Sequence, residues 1–162
     1  MSHLKVTHFN TTGLPKHAIT FIIDAAQSTS ILLITETWLL PPARYPTNWK
    51  QFHTYGIPIE CYNNRGAQGI CILVNPNCPY HIHHLPPRDS SFAQYHLSFT
   101  IAETSIHCLQ LPPSLNNKTV LEILSSLPST TSNTRQTIMC GGLSYLNTFD
   151  LITCTSTSFK TA

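Results

Sequence analysis

The chain has 162 residues, 41% of them hydrophobic and only 10% charged, where a typical domain carries roughly a quarter charged residues. That length suits one domain with a buried core, and the apolar share excludes wholesale disorder. No apolar run reaches the roughly 18–20 residues that cross a bilayer, and a net charge of +2 is too small to claim nucleic acid or an anionic membrane by electrostatics alone. Ser and Thr together supply 36 residues, so the polar surface is built mainly from hydroxyls and amides.

In chain order, residues 4–9 alternate like a strand and Asn10-Thr11-Thr12-Gly13 reads as a turn. The apolar spacing over 14–26 predicts a largely buried helix with Pro15 in its first turn. Residues 31–34 form a continuous apolar run, as in a strand buried on both faces. Pro41-Pro42 closes the segment after that strand, and 41–68 reads as loop-rich, with a strand near 57–61. A second buried strand spans 70–74, entered through Gly66-Ala67-Gln68-Gly69. Residues 80–85 and 95–101 alternate, and 105–111 is a further strand ended by Pro112-Pro113. Asn116 is placed to cap a helix over 118–127. A last apolar strand, 136–140, is stopped by Gly141-Gly142. Ser- and Thr-rich stretches lie at 127–134 (a loop) and from Thr153 onward (a fraying tail). Helices between buried strands favour an α/β (α+β) sandwich with mixed sheets and outer helices, in a single domain over 1–162. Its predicted core is Leu32, Leu33, Ile34, Ile70, Ile72, Val74, Leu109 and Ile138.

The N-terminus lacks the apolar stretch of a signal peptide. Six cysteines without C-x-x-C spacing read as reduced thiols, Cys71, Cys108 and Cys140 among them in apolar runs, with a disulfide framework as the lesser alternative. The expectation is an intracellular protein with no membrane partner.

Candidate chemistry is sparse, because the chain holds only seven acids. Glu36 stands where the 31–34 strand runs out. Ligands of α/β folds sit at the carboxyl ends of strands, and a Glu there can hold a hard cation; the plainer alternative is a solvated strand-end acid. Asn10 comes directly after the first strand, where an amide either orients a ligand or closes an Asx turn. His81 and His83 share one face of a strand, with too few further ligands for a metal site. The nine Lys and Arg residues are dispersed, without a basic stripe.

The order of motifs carries a resemblance: strand-Asn10-x-x-Gly13-Leu14, Leu33-Ile34-Thr35-Glu36-Thr37-Trp38-Leu39, Arg65-Gly66-Ala67-Gln68-Gly69-Ile70, Cys108-Leu109-Gln110-Leu111-Pro112-Pro113 and Ile138-Met139-Cys140-Gly141-Gly142-Leu143-Ser144. Over residues 4–147 this resembles the endonuclease/exonuclease/phosphatase superfamily, and within it the endonuclease domain of LINE-type (non-LTR) retrotransposons. The resemblance implies a four-layered sandwich that hydrolyses phosphodiesters with Mg²⁺ and acts on DNA. It makes Asn10 an organiser of the catalytic site and Glu36 the metal-binding acid. It also shows departures. Gln110 stands where the family places a Tyr, Gly142 where it places an Asp, and Ser144 where it places an Asn. Asp150 lies too far along to replace that Asp. The family's closing Ser-Asp-His segment has no counterpart before Ala162, so the chain is read as lacking the family's C-terminal part. The implied activity is therefore expected to be lost, leaving a degenerate remnant. The alternative is a non-catalytic interaction or nucleic-acid-binding module on the same scaffold. Glu36 and Asn10 are expected in one pocket near Gln110 and Gly142.

Overall fold

The computed structural model describes residues 4–129 and 134–143; Ser144, Asp150, Cys154, the expected tail and part of the 127–134 loop lie outside them. Two four-stranded sheets make up the body of the fold. The first contains β1 (Val6–Asn10), β2 (Ile31–Thr35), β3 (Lys50–Thr54) and β6 (Ile70–Val74), in the order β1-β2-β6-β3. The second contains β7 (Ile82–Leu85), β8 (His96–Ile101), β9 (Thr104–Leu111) and β10 (Gln136–Leu143), in the order β10-β9-β8-β7. β4 (Ile57–Ile59) and β5 (Tyr62–Ala67) form a separate hairpin.

Each sheet contains one parallel pair joined through a helix. β1 and β2 are connected by α1 (Ile19–Ala25), β9 and β10 by α2 (Asn117–Ser125), and the remaining pairs of the two sheets are antiparallel. This mixture reflects connection length, since parallel neighbours need a crossover and antiparallel ones only a turn. The inner faces meet through Leu33, Ile70 and Ile72 on one side and Leu97, Phe99, Ile106 and Cys108 on the other. The outer face of the first sheet packs Leu32, Ile34 and Leu73 against Ile19 of α1, and that of the second packs Leu109 and Leu111 against Ile123 of α2. The layers are thus helix, sheet, sheet, helix, the α+β sandwich expected. Every predicted core residue is buried except Ile138, which is only partly covered on edge strand β10.

Three local expectations are corrected. Residues 14–26 do not form one buried helix. Pro15 is extended, Lys16–Ala18 makes a 3-10 turn, and α1 begins only at Ile19, its sole buried residue, while Phe21 is 74% exposed. The 41–68 stretch holds the strand expected near 57–61, as β4, but is less loop-rich than expected, since β3 and β5 lie in it too. The last strand does not stop at Gly141-Gly142. It pairs with β9 as far as Leu143, and the glycines are what permit the pairing, since Gly141 has φ +140° and a β-carbon there would run into the Leu109 backbone. The Asn116 cap is as expected, its Oδ1 accepting from Thr119 N at 2.8 Å.

Candidate functional site

The carboxyl ends of both parallel pairs meet at one end of the sandwich, where β2 touches β9 and β10. Asn10 is paired with Thr35 across β1 and β2, and Gln110 with Gly142 across β9 and β10. Glu36 is the first residue beyond β2, so its backbone leaves the ladder just where the second sheet approaches. Glu36 and Trp38 both adopt left-handed backbone, at φ +61° and +58°. Non-glycine residues enter that region rarely and at some cost, so the turn at 36–38 is held by its surroundings. Gly13 N and Thr11 Oγ1 both donate to the Glu36 carbonyl, at 2.6 and 3.2 Å, and Gly66 N donates to the Trp38 carbonyl at 2.9 Å. Gly13 also gives the Trp38 indole its place, since a β-carbon there would collide with that ring.

The turn directs the Glu36 carboxylate between the sheets, where both its oxygens accept from nitrogen donors. Gln110 Nε2 donates to Oε1 at 2.6 Å and Trp38 Nε1 donates to Oε2 at 2.9 Å. Gln110 is fully buried, and its Oε1 has no hydrogen-bond partner. Gly142 lies against the same amide: a β-carbon added there would sit 2.8 Å from Gln110 Oε1 and 3.1 Å from Nε2. Beside the carboxylate the Arg65 guanidinium stacks over the Trp38 ring, 4.5 Å from its centroid. Outside this stack, Gly13, Lys16, Trp38 and Arg65 line a groove of about 320 Å³.

Of the residues singled out in the sequence, Glu36, Gln110 and Gly142 are brought together. Asn10 sits at the adjoining strand end but is exposed, and its side chain accepts from Thr12 N at 3.4 Å, closing the turn. His81 and His83 are exposed beside and on edge strand β7, away from this site. Trp38 and Arg65 complete the arrangement, and the sequence pattern gives neither a role. The available signal is only that a Trp two residues past Glu36 returns to it once the intervening backbone turns left-handed.

No second carboxylate joins Glu36 among the described residues. Asp89 caps its own 3-10 turn, Glu103 pairs with Arg135 at 3.0 Å, Glu122 lies on α2 near Lys118, and Asp24 and Glu60 are exposed elsewhere. Among the described residues no group of three His, Cys, Asp or Glu side chains is gathered for a metal ion. Mg²⁺ is ordinarily held by one or two carboxylates plus substrate phosphates. A single carboxylate already accepting two N–H donors does not fit that ion.

No protein-family model and no curated protein matches this sequence. Solved structures do match its fold. An AP endonuclease from Archaeoglobus fulgidus superposes with a TM-score of 0.58 at 16% identity, covering 85% of this chain and 56% of that one. A humanized D. rerio TDP2 bearing 14 mutations gives 0.52 at 13%, covering 87% and 62%. The 3'-5' exonuclease NExo from Neisseria meningitidis gives 0.51 at 14%, covering 76% and 48%. The chain thus shares the fold of these structures, and spans between about half and three fifths of their length. Among the described residues no helix is long and apolar enough to cross a membrane.

Proposed function

We propose that this chain is an endonuclease/exonuclease/phosphatase-type domain, derived from the endonuclease domain of a LINE-type retrotransposon, in which phosphodiester hydrolysis has been lost. The observation that carries this reading is the composition of the strand-end site. Glu36 is the one acid there among the described residues, with a neutral amide at 110 and no side chain at 142.

Phosphodiester hydrolysis needs an activated water and stabilised charge on the phosphoryl oxygens. Removing one general base or one oxyanion donor costs about 10²–10⁴-fold. The residues present do other work. Gln110 and Trp38 hold the Glu36 carboxylate in place, and Asn10 closes its turn. None of these contacts frees a base to take a proton from water, and Mg²⁺, the cofactor the resemblance implies, lacks the donors to be held.

The groove beside Trp38 supports DNA as the partner, engaged without being cut. Lys16 and Arg65 supply cations at its wall, and the thin overall charge makes such binding weak, with the shallow salt dependence of only a few phosphate contacts. The five described cysteines are free thiols, which fits a protein of the cell interior.

A plasmid-nicking assay with Mg²⁺ or Mn²⁺ tests the reading, run on this chain and on Glu36→Ala. Neither is expected to nick. Nicking by the unaltered chain that vanishes in Glu36→Ala would overturn it.

A further inference from the structure

Both oxygens of the Glu36 carboxylate are met by protein donors, Gln110 from the far sheet and Trp38 from its own turn. We infer that the Gln110 side chain is a built-in plug that occupies the cation seat at Glu36, so that this strand-end carboxylate is satisfied by the protein itself and excludes divalent metal. The inference rests on the non-catalytic reading above and names the residue responsible.

Three observations converge on it. The Gln110 Nε2 to Glu36 Oε1 distance of 2.6 Å is short for a nitrogen donor, as expected when the acceptor is a carboxylate. The amide donates from the far sheet, across the gap between strand ends. The other half of the amide gains nothing, since Oε1 is buried without a donor. A buried acceptor left unpaired is unfavourable, so the side chain is held in this pose by its nitrogen, with β9 buried along its whole length to fix it. Finally, Gly142 and the plug are mutually exclusive with an acid at 142. A β-carbon there would press on the amide, at 2.8 Å from Oε1 and 3.1 Å from Nε2. The absent side chain at 142 and the amide at 110 are two halves of one packing solution.

Changing one atom type decides the matter. Gln110→Glu keeps the shape and replaces the donor by a second carboxylate against Glu36, a pair that requires a cation or a proton between its oxygens. Mn²⁺ binding is monitored by electron paramagnetic resonance and by metal-dependent thermal stability, neither of which needs catalysis. The unaltered chain is expected to show no Glu36-dependent Mn²⁺ site. Gln110→Glu is expected to bind Mn²⁺ at least about tenfold more tightly, and Glu36→Gln in the same background to abolish the gain. Glu36-dependent Mn²⁺ binding by the unaltered chain, or a folded Gln110→Glu that binds no better, would overturn the plug. If Gln110→Glu does not fold, Gln110→Ala, which removes the plug, is judged by the same criteria against the unaltered chain, which keeps it; failure of that variant to bind more tightly, or to fold, would overturn the inference. Nicking by the unaltered chain would remove the non-catalytic reading, whereas these Mn²⁺ outcomes concern Gln110 alone.

Discussion

The central strands of the two sheets are equally buried and differently made. β2 and β6 carry Ile-Leu-Leu-Ile-Thr and Ile-Cys-Ile-Leu-Val, with every residue buried. β9 is also buried throughout and β8 nearly so, yet they hold His96, Ser98, Thr104, Ser105, His107 and Gln110. Strands buried on both faces normally read as continuous apolar runs, and the first sheet obeys that rule. The second pairs some of its buried polar groups internally and leaves others, His96 Nε2, Thr104 Oγ1 and Gln110 Oε1, without a partner. On its outer face Ser98 Oγ lies 2.8 Å from His107 Nδ1 and 3.3 Å from His96 Nδ1. One hydroxyl thus bridges the two rings, and the tautomer of each ring sets whether it donates to that oxygen or accepts from it. At the end of the same sheet Gln110 reaches Glu36. The first sheet supplies packing, and the second supplies placed polar atoms, at the outer face and at the site alike.

The sharpest way to break this contrast is to cut into the packing. Leu33 is fully buried between the sheets, so Leu33→Ala is expected to cost about 2–5 kcal/mol in a urea titration, through lost burial and the cavity left behind. A loss below about 0.5 kcal/mol, the range of ordinary surface changes, would mean that the inner faces are not tightly packed there.

Ser98→Ala makes the matching cut in the second sheet. It removes little volume but leaves two buried ring nitrogens without their shared partner. The expected loss is about 1–3 kcal/mol, the penalty for stranded buried polar groups. Comparison with Ser125→Ala, an exposed α2 hydroxyl that donates to the Leu121 carbonyl, serves as the control. Equal small losses at both sites would show that the Ser98 bridge contributes no more than a surface hydroxyl.

The same contrast governs what is legible in the residues. β2 and β6 stand out as unbroken apolar runs, and from them the sandwich and most of its core can be read. β3, Lys-Gln-Phe-His-Thr, does not stand out. As an edge strand it buries only Gln51 fully, with Phe52 partly buried toward the opposite sheet, and the buried polar contacts it makes with Tyr45 leave no apolar pattern. The 14–26 stretch misleads in the opposite direction. Its apolar residues cover more of a helix than the sheet can bury, so Phe21 is left outside. At the site, Glu36 is legible because a strand end and an acid coincide, and Gln110 and Gly142 as departures from a motif. That Gln110 meets Glu36 depends on two sheets converging, and that Trp38 turns back depends on left-handed backbone, neither of which is written in local spacing.

The smallest expected effect is the pH response of the polar face. Burial holds His96 and His107 below the usual histidine range, and for His96 the neighbouring His107 and His84 add to this. His84, on β7, is exposed and stacks on Phe52, and no carboxylate hydrogen-bonds or pairs with either ring among the described residues. His96 Nε2 is buried without an acceptor, so a proton placed there would have no partner. A base with a depressed folded pKa binds fewer protons folded than unfolded. Its stabilising contribution is therefore complete above the unfolded value near 6.5 and is lost progressively as pH falls from there toward the folded value. His8, on β1, is lowered by burial too, and His53 to about 4 by burial and then by Arg44, so the first sheet contributes at its outer strands but not through β2 and β6. The urea midpoint is expected to fall between about pH 7.5 and about pH 5.5. His107→Asn should reduce that difference without abolishing it, while Leu33→Ala should leave it unchanged. A pH response that survives His107→Asn in full would remove His107 from the acid sensitivity of the fold and leave that sensitivity to His96, His8 and His53.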